Sequence, residues 1–230
     1  MAGLQQTTKP FAWSFSRLKN FESCPKKHYH ADIAKDVKEE ENDTLLYGNL
    51  VHKSLADRIG KGKELPVTLR ELEPWAVKML AMKEVGADLL VEQKLAITED
   101  FRPAEFFGRG VWFRSIADVL AVQGPVAITV DWKTGKILDD SQQLALTAAC
   151  IFARYPTVSR IRTQYVWLKD DATTTHDFAR DDMVAMWAGI WPRIMSLKHA
   201  HNTGEYPPKP GGLCRRYCPV TQCIHNGANQ

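Results

Sequence analysis

Ile116-Ala117-Asp118-Val119-Leu120, the turn pair Gly124-Pro125 and Val130-Asp131-Trp132-Lys133-Thr134-Gly135 decide the fold. Two segments rich in Val, Ile and Leu meet at a short turn, which predicts strands over 110–122 and 126–133 paired as a hairpin. Side chains alternate along a strand, so Asp131 and Lys133 project to one face, and hairpin pairing sets Asp118 across from them. Unpaired charge does not belong in a strand core, and two close aspartates repel unless a cation neutralises them. A hard divalent ion takes carboxylate oxygens and water, polarises a phosphate oxygen and acidifies an attacking water. Lys133 would orient or deprotonate that water and offset charge in the transition state. An Asp-x-Lys string alone also suits a surface ion pair beside a glycine turn.

Upstream, 89–97 reads as a third strand and carries Glu92, a further carboxylate or a supporting residue. Before it come three helical patterns: 16–34, with Ser14 or Ser16 as a cap; Leu45 to Ile59, with Leu46, Leu50, Leu55 and Ile59 as apolar positions; and Thr68 to Val85. His52 lies on the second of these, where an imidazole is either a packed residue or a metal ligand. Downstream, the pattern predicts a helix from about Asp140 to Tyr155, strands at 160–168 and 174–179, and a helix at 181–199 capped by Asp181. A loop-like tail follows from Gly204. This order implies an α/β fold with a central mixed sheet flanked by helices. It is expected as one domain over 1–230, with a flexible N-terminus (1–12) and a cysteine-rich tail (204–230) packed against the N-terminal helix.

The 230 residues are 25% charged and 44% hydrophobic, ordinary globular composition, with a net charge of +3. That charge permits a nucleic-acid partner without demanding one. Any phosphate-binding face must come from clusters such as Arg102, Arg109 and Arg114, or Lys26 and Lys27. No apolar run is long enough to span a membrane, and Met1 to Lys9 lacks a signal-peptide core, so a cytoplasmic protein is expected. Among the aromatics, Trp75, Trp112, Trp167, Trp187 and Trp191 sit in core-like patterns, and Trp13 and Phe107 are candidates for base stacking.

Of five cysteines, Cys150 falls in the apolar run Thr147-Ala148-Ala149-Cys150-Ile151-Phe152 and reads as core. Cys214, Cys218 and Cys223 crowd the C-terminus and can surround one ion, with Cys24 as a fourth ligand. Four thiolates suit a [4Fe–4S] cluster or tetrahedral zinc. His225 is a substitute ligand, and free thiols in the tail are the bland reading.

Taken in order, Gly48-x-x-x-His52, Asp118, Asp131-x-Lys133-Thr134-Gly135 and Gln143-Leu144-Ala145-Leu146 resemble the RecB-type branch of the PD-(D/E)XK nucleases. The opening Ser14-x-Ser16-x-Leu18, Cys24-Pro25 and the C-terminal cysteines look like the ends of that branch. The resemblance therefore spans about residues 14 to 224. It implies that His52, Asp118, Asp131 and the carbonyl of Trp132 bind Mg or Mn, that Asp118, Asp131 and Lys133 are catalytic, and that Gln143 and Glu92 support the site. Thr147 stands where the branch often has a tyrosine, four residues after the glutamine. The cysteine pattern is similar to the iron–sulfur subset, which includes the CRISPR adaptation and AddB-type nucleases, although its middle cysteine is displaced.

The resemblance implies a DNA nuclease, an exonuclease of phage or bacterial recombination and repair, with a helicase or annealing protein as a possible partner. If phage-encoded, it would act in the host cytoplasm. A non-catalytic DNA-binding or scaffold module would keep the fold but lose Asp131 or Lys133, and neither is lost. A redox-sensing cluster protein would leave the acidic residues unexplained.

Overall fold

The computed structural model describes residues 10–38, 42–138 and 140–229. The expected flexible N-terminus lies mostly outside these residues. The described chain forms two compact units, one of Asn42–Met186 and the other built from the two ends of the chain.

In the 42–186 unit, α3 (Asp43–Lys61) is followed by a 3-10 turn (Val67–Leu72) and α4 (Glu73–Glu84). Strands β1 (Asp88–Ile97), β2 (Phe113–Gln123) and β3 (Val126–Lys133) come next, then α5 (Ser141–Arg154), β4 (Arg160–Trp167) and β5 (Ala172–Ala179). The five strands lie in sequence order in one sheet. Only β3 and β4 run parallel, because α5 carries the chain back between them. The hairpin of β2 and β3 closes where Gln123 pairs with Val126, and Gly124 takes the positive φ of 56° that so short a connection needs.

Alternation sorts the β3 side chains to opposite faces. Val130 and Trp132 pack with Val119 and Val166 under the stripe Val51, Leu55 and Ile59 of α3 and under Ala76 and Met79 of α4. On the other side, Leu144 of α5 packs with Tyr165 and Trp167. Helix α5 is buried almost continuously from Leu144 to Phe152, including Cys150, whose thiol burial pushes far up. The expected apolar positions of α3 are half right. Leu55 and Ile59 are buried, whereas Leu46 and Leu50 are 48% and 45% exposed, because the buried stripe begins at Val51. The expected third helix also differs: Glu73-Pro74 restarts the chain as α4 after a 3-10 turn, proline being well suited to a helix's first turn.

In the other unit the expected helix at 16–34 is broken. Helix α1 (Phe15–Ser23), capped by the Ser14 hydroxyl accepting from the Arg17 N–H, ends at extended Cys24. The residue before a proline is disfavoured in helical conformation, so Pro25 starts a separate short α2 (Pro25–His28). A π-helical turn, Tyr29–Ala34, follows. Arg193, on α6 (Asp182–Thr203), makes a two-point ion pair with Glu22 at 2.5 and 2.7 Å. Trp13 is 1% exposed, so it is a core residue and not a stacking surface.

Candidate active site

The site begins with a close approach. A Cβ on Gly48 would lie 3.3 Å from Thr134 Oγ1, so glycine lets α3 pass the loop after β3. One helical turn on, His52 Nδ1 stands 3.2 Å from Asp118 Oδ2 on β2. The same oxygen accepts a 2.8 Å hydrogen bond from the Trp132 N–H, while the indole of Trp132 is buried in the core. Glu92 completes the group. It adopts φ 49°, a strained conformation for a residue with a side chain. The β1–β2 ladder passes from Val91↔Val119 to Gln93↔Ala117, leaving Glu92 and Asp118 out of the pairing. Ligand atoms of His52, Glu92 and Asp118 all lie within 4.8 Å of one another. One imidazole and two carboxylates at that spacing fit a divalent cation.

Asp131 is engaged next door. Its Oδ1 pairs with Lys133 Nζ at 2.8 Å and its Oδ2 accepts from Gln143 Nε2 at 2.8 Å. The ring closes as Lys133 Nζ donates to Gln143 Oε1 at 3.2 Å. Sequence reasoning missed Tyr165. It is the parallel-strand partner of Asp131, its hydroxyl donates to the Asp140 carbonyl at 2.8 Å, and its ring lies 4.7 Å beneath Lys133 Nζ. The only signal available was an apolar strand at 160–168; the register across β3 and β4 is not written locally. Thr147, which replaces the expected tyrosine, bonds the Gln143 carbonyl at 3.1 Å and Ser115 Oγ at 2.7 Å. A tyrosine thus meets the Lys–Gln pair from β4 rather than from α5.

Electrostatics follow from the surplus of carboxylates. Burial pushes the Asp131 carboxyl up; the Lys133 charge opposes this and Asp118 reinforces it. Burial and the neighbouring Asp118 also raise Glu92. For His52 burial acts downward, but the hydrogen bond to Asp118 and the charges of Asp118, Asp131 and Glu92 prevail and raise it. All three groups are shifted towards their protonated forms, a shift that a bound cation would oppose. His52, Glu92 and Asp118 border an open cleft of about 880 Å³ that also takes in Lys53, Ile116 and Lys133.

Cys24, Cys214, Cys218 and Cys223 line one small cavity with His225. Among the described residues, no three cysteine sulfurs lie within 4.8 Å of one another. Backbone N–H groups of Lys209 and Gly211 donate to the sulfurs of Cys24 and Cys214 at 3.4 and 3.3 Å.

A family model described as the PD-(D/E)XK nuclease superfamily matches residues 12–223. No curated protein matches the chain. Among solved structures, a candidate exonuclease from Eubacterium rectale superposes with a TM-score of 0.51 at 14% identity, over 98% of this chain and 91% of that one. An alkaline exonuclease from Laribacter hongkongensis gives 0.36 at 14% identity, over 83% and 89%. The first of these supports the fold alone. With the family model spanning almost the whole chain, this protein belongs to the PD-(D/E)XK nuclease superfamily.

Proposed function

We propose that the chain is a Mg- or Mn-dependent deoxyribonuclease, acting as an exonuclease in DNA recombination or repair. The observation that carries this reading is the convergence of His52, Glu92 and Asp118 beside the Asp131–Lys133–Gln143 ring. His52, Asp118 and Glu92 would hold the cation, with the Asp131 carboxylate beside them adding to the negative charge that attracts it. When bound, the cation supplies phosphate polarisation and a more acidic water.

The chain's own residues do the rest. Lys133, steered by Gln143 and seated over Tyr165, presents its ammonium to the phosphate and offsets charge developing there. Asp131 keeps that ammonium in place, and Gln143 keeps both from rotating away. Because Glu92 and Asp131 are raised, cation binding, which needs the carboxylate forms, should weaken in acid. An exonuclease takes a DNA end as its substrate, and a helicase or annealing protein would be its companion in the same process.

The four cysteines support a second metal site, a [4Fe–4S] cluster. Tetrahedral zinc, with Zn–S of about 2.3 Å, would hold the sulfurs roughly 3.8 Å apart. A cluster would hold them further apart, and the backbone hydrogen bonds to two of the sulfurs suit its thiolates. This would tie Cys24 to the tail within the unit formed by the two chain ends.

The test is cleavage of end-labelled linear and circular DNA in Mg²⁺, Mn²⁺ or EDTA, beside Lys133→Ala. Cation-dependent loss of linear DNA only, absent in the variant, is expected. Cleavage of circles would replace the exonuclease reading with an endonuclease. A correctly folded, inactive parent protein would overturn the catalytic reading in favour of a DNA-binding module.

A further inference from the structure

Beside the catalytic cleft lies a cluster that the hydrolytic site does not use. Lys94 stands two residues beyond Glu92 on β1 and pairs across the sheet with Ile116, which lines the cleft and is 43% exposed. Register partners share a sheet face, so Lys94 stands at the cleft's wall. Its ammonium lies 5.8 Å from the ring centre of Phe106 and 5.3 Å from that of Phe107. The two rings meet edge to face at 5.0 Å.

The two phenylalanines differ in what holds them. Phe106 is half-buried and anchored, its carbonyl accepting a 2.6 Å hydrogen bond from Arg114 Nε and its ring lying 5.7 Å from the Arg114 guanidinium. Phe107 is 79% exposed. What sets Phe107 apart from the other exposed apolar side chains is its place against an anchored ring and a lysine ammonium. Lys94 acts on Glu92 only through its charge, with no ion-pair contact among the described residues, so its ammonium can also meet a phosphate. Arg109, two residues from Phe107, is likewise exposed and without an ion-pair partner among the described residues.

We propose that Phe107 and Lys94 form a docking station for a single-stranded DNA segment, a base stacking on the free face of Phe107 and an adjoining phosphate meeting Lys94. This rests on the nuclease reading of the cleft and deepens it. The anchored Phe106 and Arg114 keep the platform rigid, so little ordering is needed when the base arrives. A base inside a duplex already has both faces stacked, whereas an unpaired base has a face to give, so the station selects single strands or frayed ends. Its position at the cleft wall places the stacked nucleotide beside the bond presented to Glu92, Asp118 and Lys133.

The experiment is binding of fluorescein-labelled oligo-dT in EDTA, where no cleavage occurs, with a blunt duplex and an oligomer of abasic units as companion probes. Phe107→Ala should weaken oligo-dT binding about five-fold or more. It should leave the duplex and the abasic oligomer unchanged, and Phe107→Trp should restore the affinity. Lys94→Ala should lower the slope of log affinity against log salt by about 0.7, the share of one phosphate contact on a single strand. Unchanged oligo-dT binding by Phe107→Ala, or an equal loss on all three probes, would overturn the station. Cleavage by the parent protein in Mg²⁺, measured in parallel, separates the two readings. Cleavage with Phe107-independent binding removes the station and keeps the nuclease; Phe107-dependent binding without cleavage does the reverse.

Discussion

At the scale of single residues, the site stores unfavourable charge in the absence of a cation. Asp131 is the clearest case, because burial raises its carboxyl despite the Lys133 partner. The folded chain therefore holds this proton more tightly than the unfolded chain does. The sign follows: stability is greater at pH below the raised folded value and falls as pH rises through it, leaving the ionised carboxylate as a net cost at neutral pH. Asp131→Asn is expected to raise the melting temperature in EDTA at neutral pH, with the gain shrinking in mild acid, while abolishing cleavage. Calorimetry across that range, with the cleavage assay, checks it; a lower melting temperature at neutral pH would contradict the assignment. Glu92 stores a different cost, a left-handed backbone, in the same few ångströms.

At the scale of elements, α3 does two jobs along its length. One face presents Val51, Leu55 and Ile59 to the core, and another carries Gly48 and His52 along the cleft. Gly60 fixes how closely it rides. A Cβ there would come within 2.6 Å of Val91 Cγ2, the residue before Glu92, and a valine's branched stem has little freedom to yield. Gly60→Ala improves helix propensity, yet overpacking should outweigh this and destabilise by ~1–3 kcal/mol. The corresponding fall in melting temperature is roughly 2–10 °C. Cleavage should fall with it, since the displaced strand carries a proposed cation ligand. An equal or higher melting temperature would show that β1 yields freely.

At the scale of the whole molecule, the two ends of the chain, far apart in sequence, form one compact unit containing all four cysteines of the shared cavity. Metal binding by such a set is linked to folding of the unit that carries it. Cys218→Ala in anaerobically purified protein is expected to lower both the melting temperature and the iron content, with loss of visible absorption. Unchanged iron and unchanged melting would remove the cluster reading and leave the DNA-cleaving site untouched. Among the described residues no helix is long and apolar enough to cross a membrane.

The sequence by itself determined the element order, the hairpin around Gly124-Pro125 and the residues to watch at His52, Asp118, Asp131, Lys133 and Gln143. These rest on local signals, namely period-two alternation, turn chemistry and charges set in apolar strands. The chain breaks near Cys24 and at Glu73 were local too, signalled by Pro25 and Pro74, although helical periodicity masked them. Tertiary structure alone decided three matters. Glu92 joined His52 and Asp118 through a backbone conformation that propensity argues against. Tyr165 reached Lys133 through the register between two parallel strands that α5 separates in the chain. Lys94 and Phe107 met at the cleft wall through the pairing of Lys94 with Ile116. In each case the decisive contact joins segments distant in sequence, and its stabilisation depends on packing that no window of residues contains.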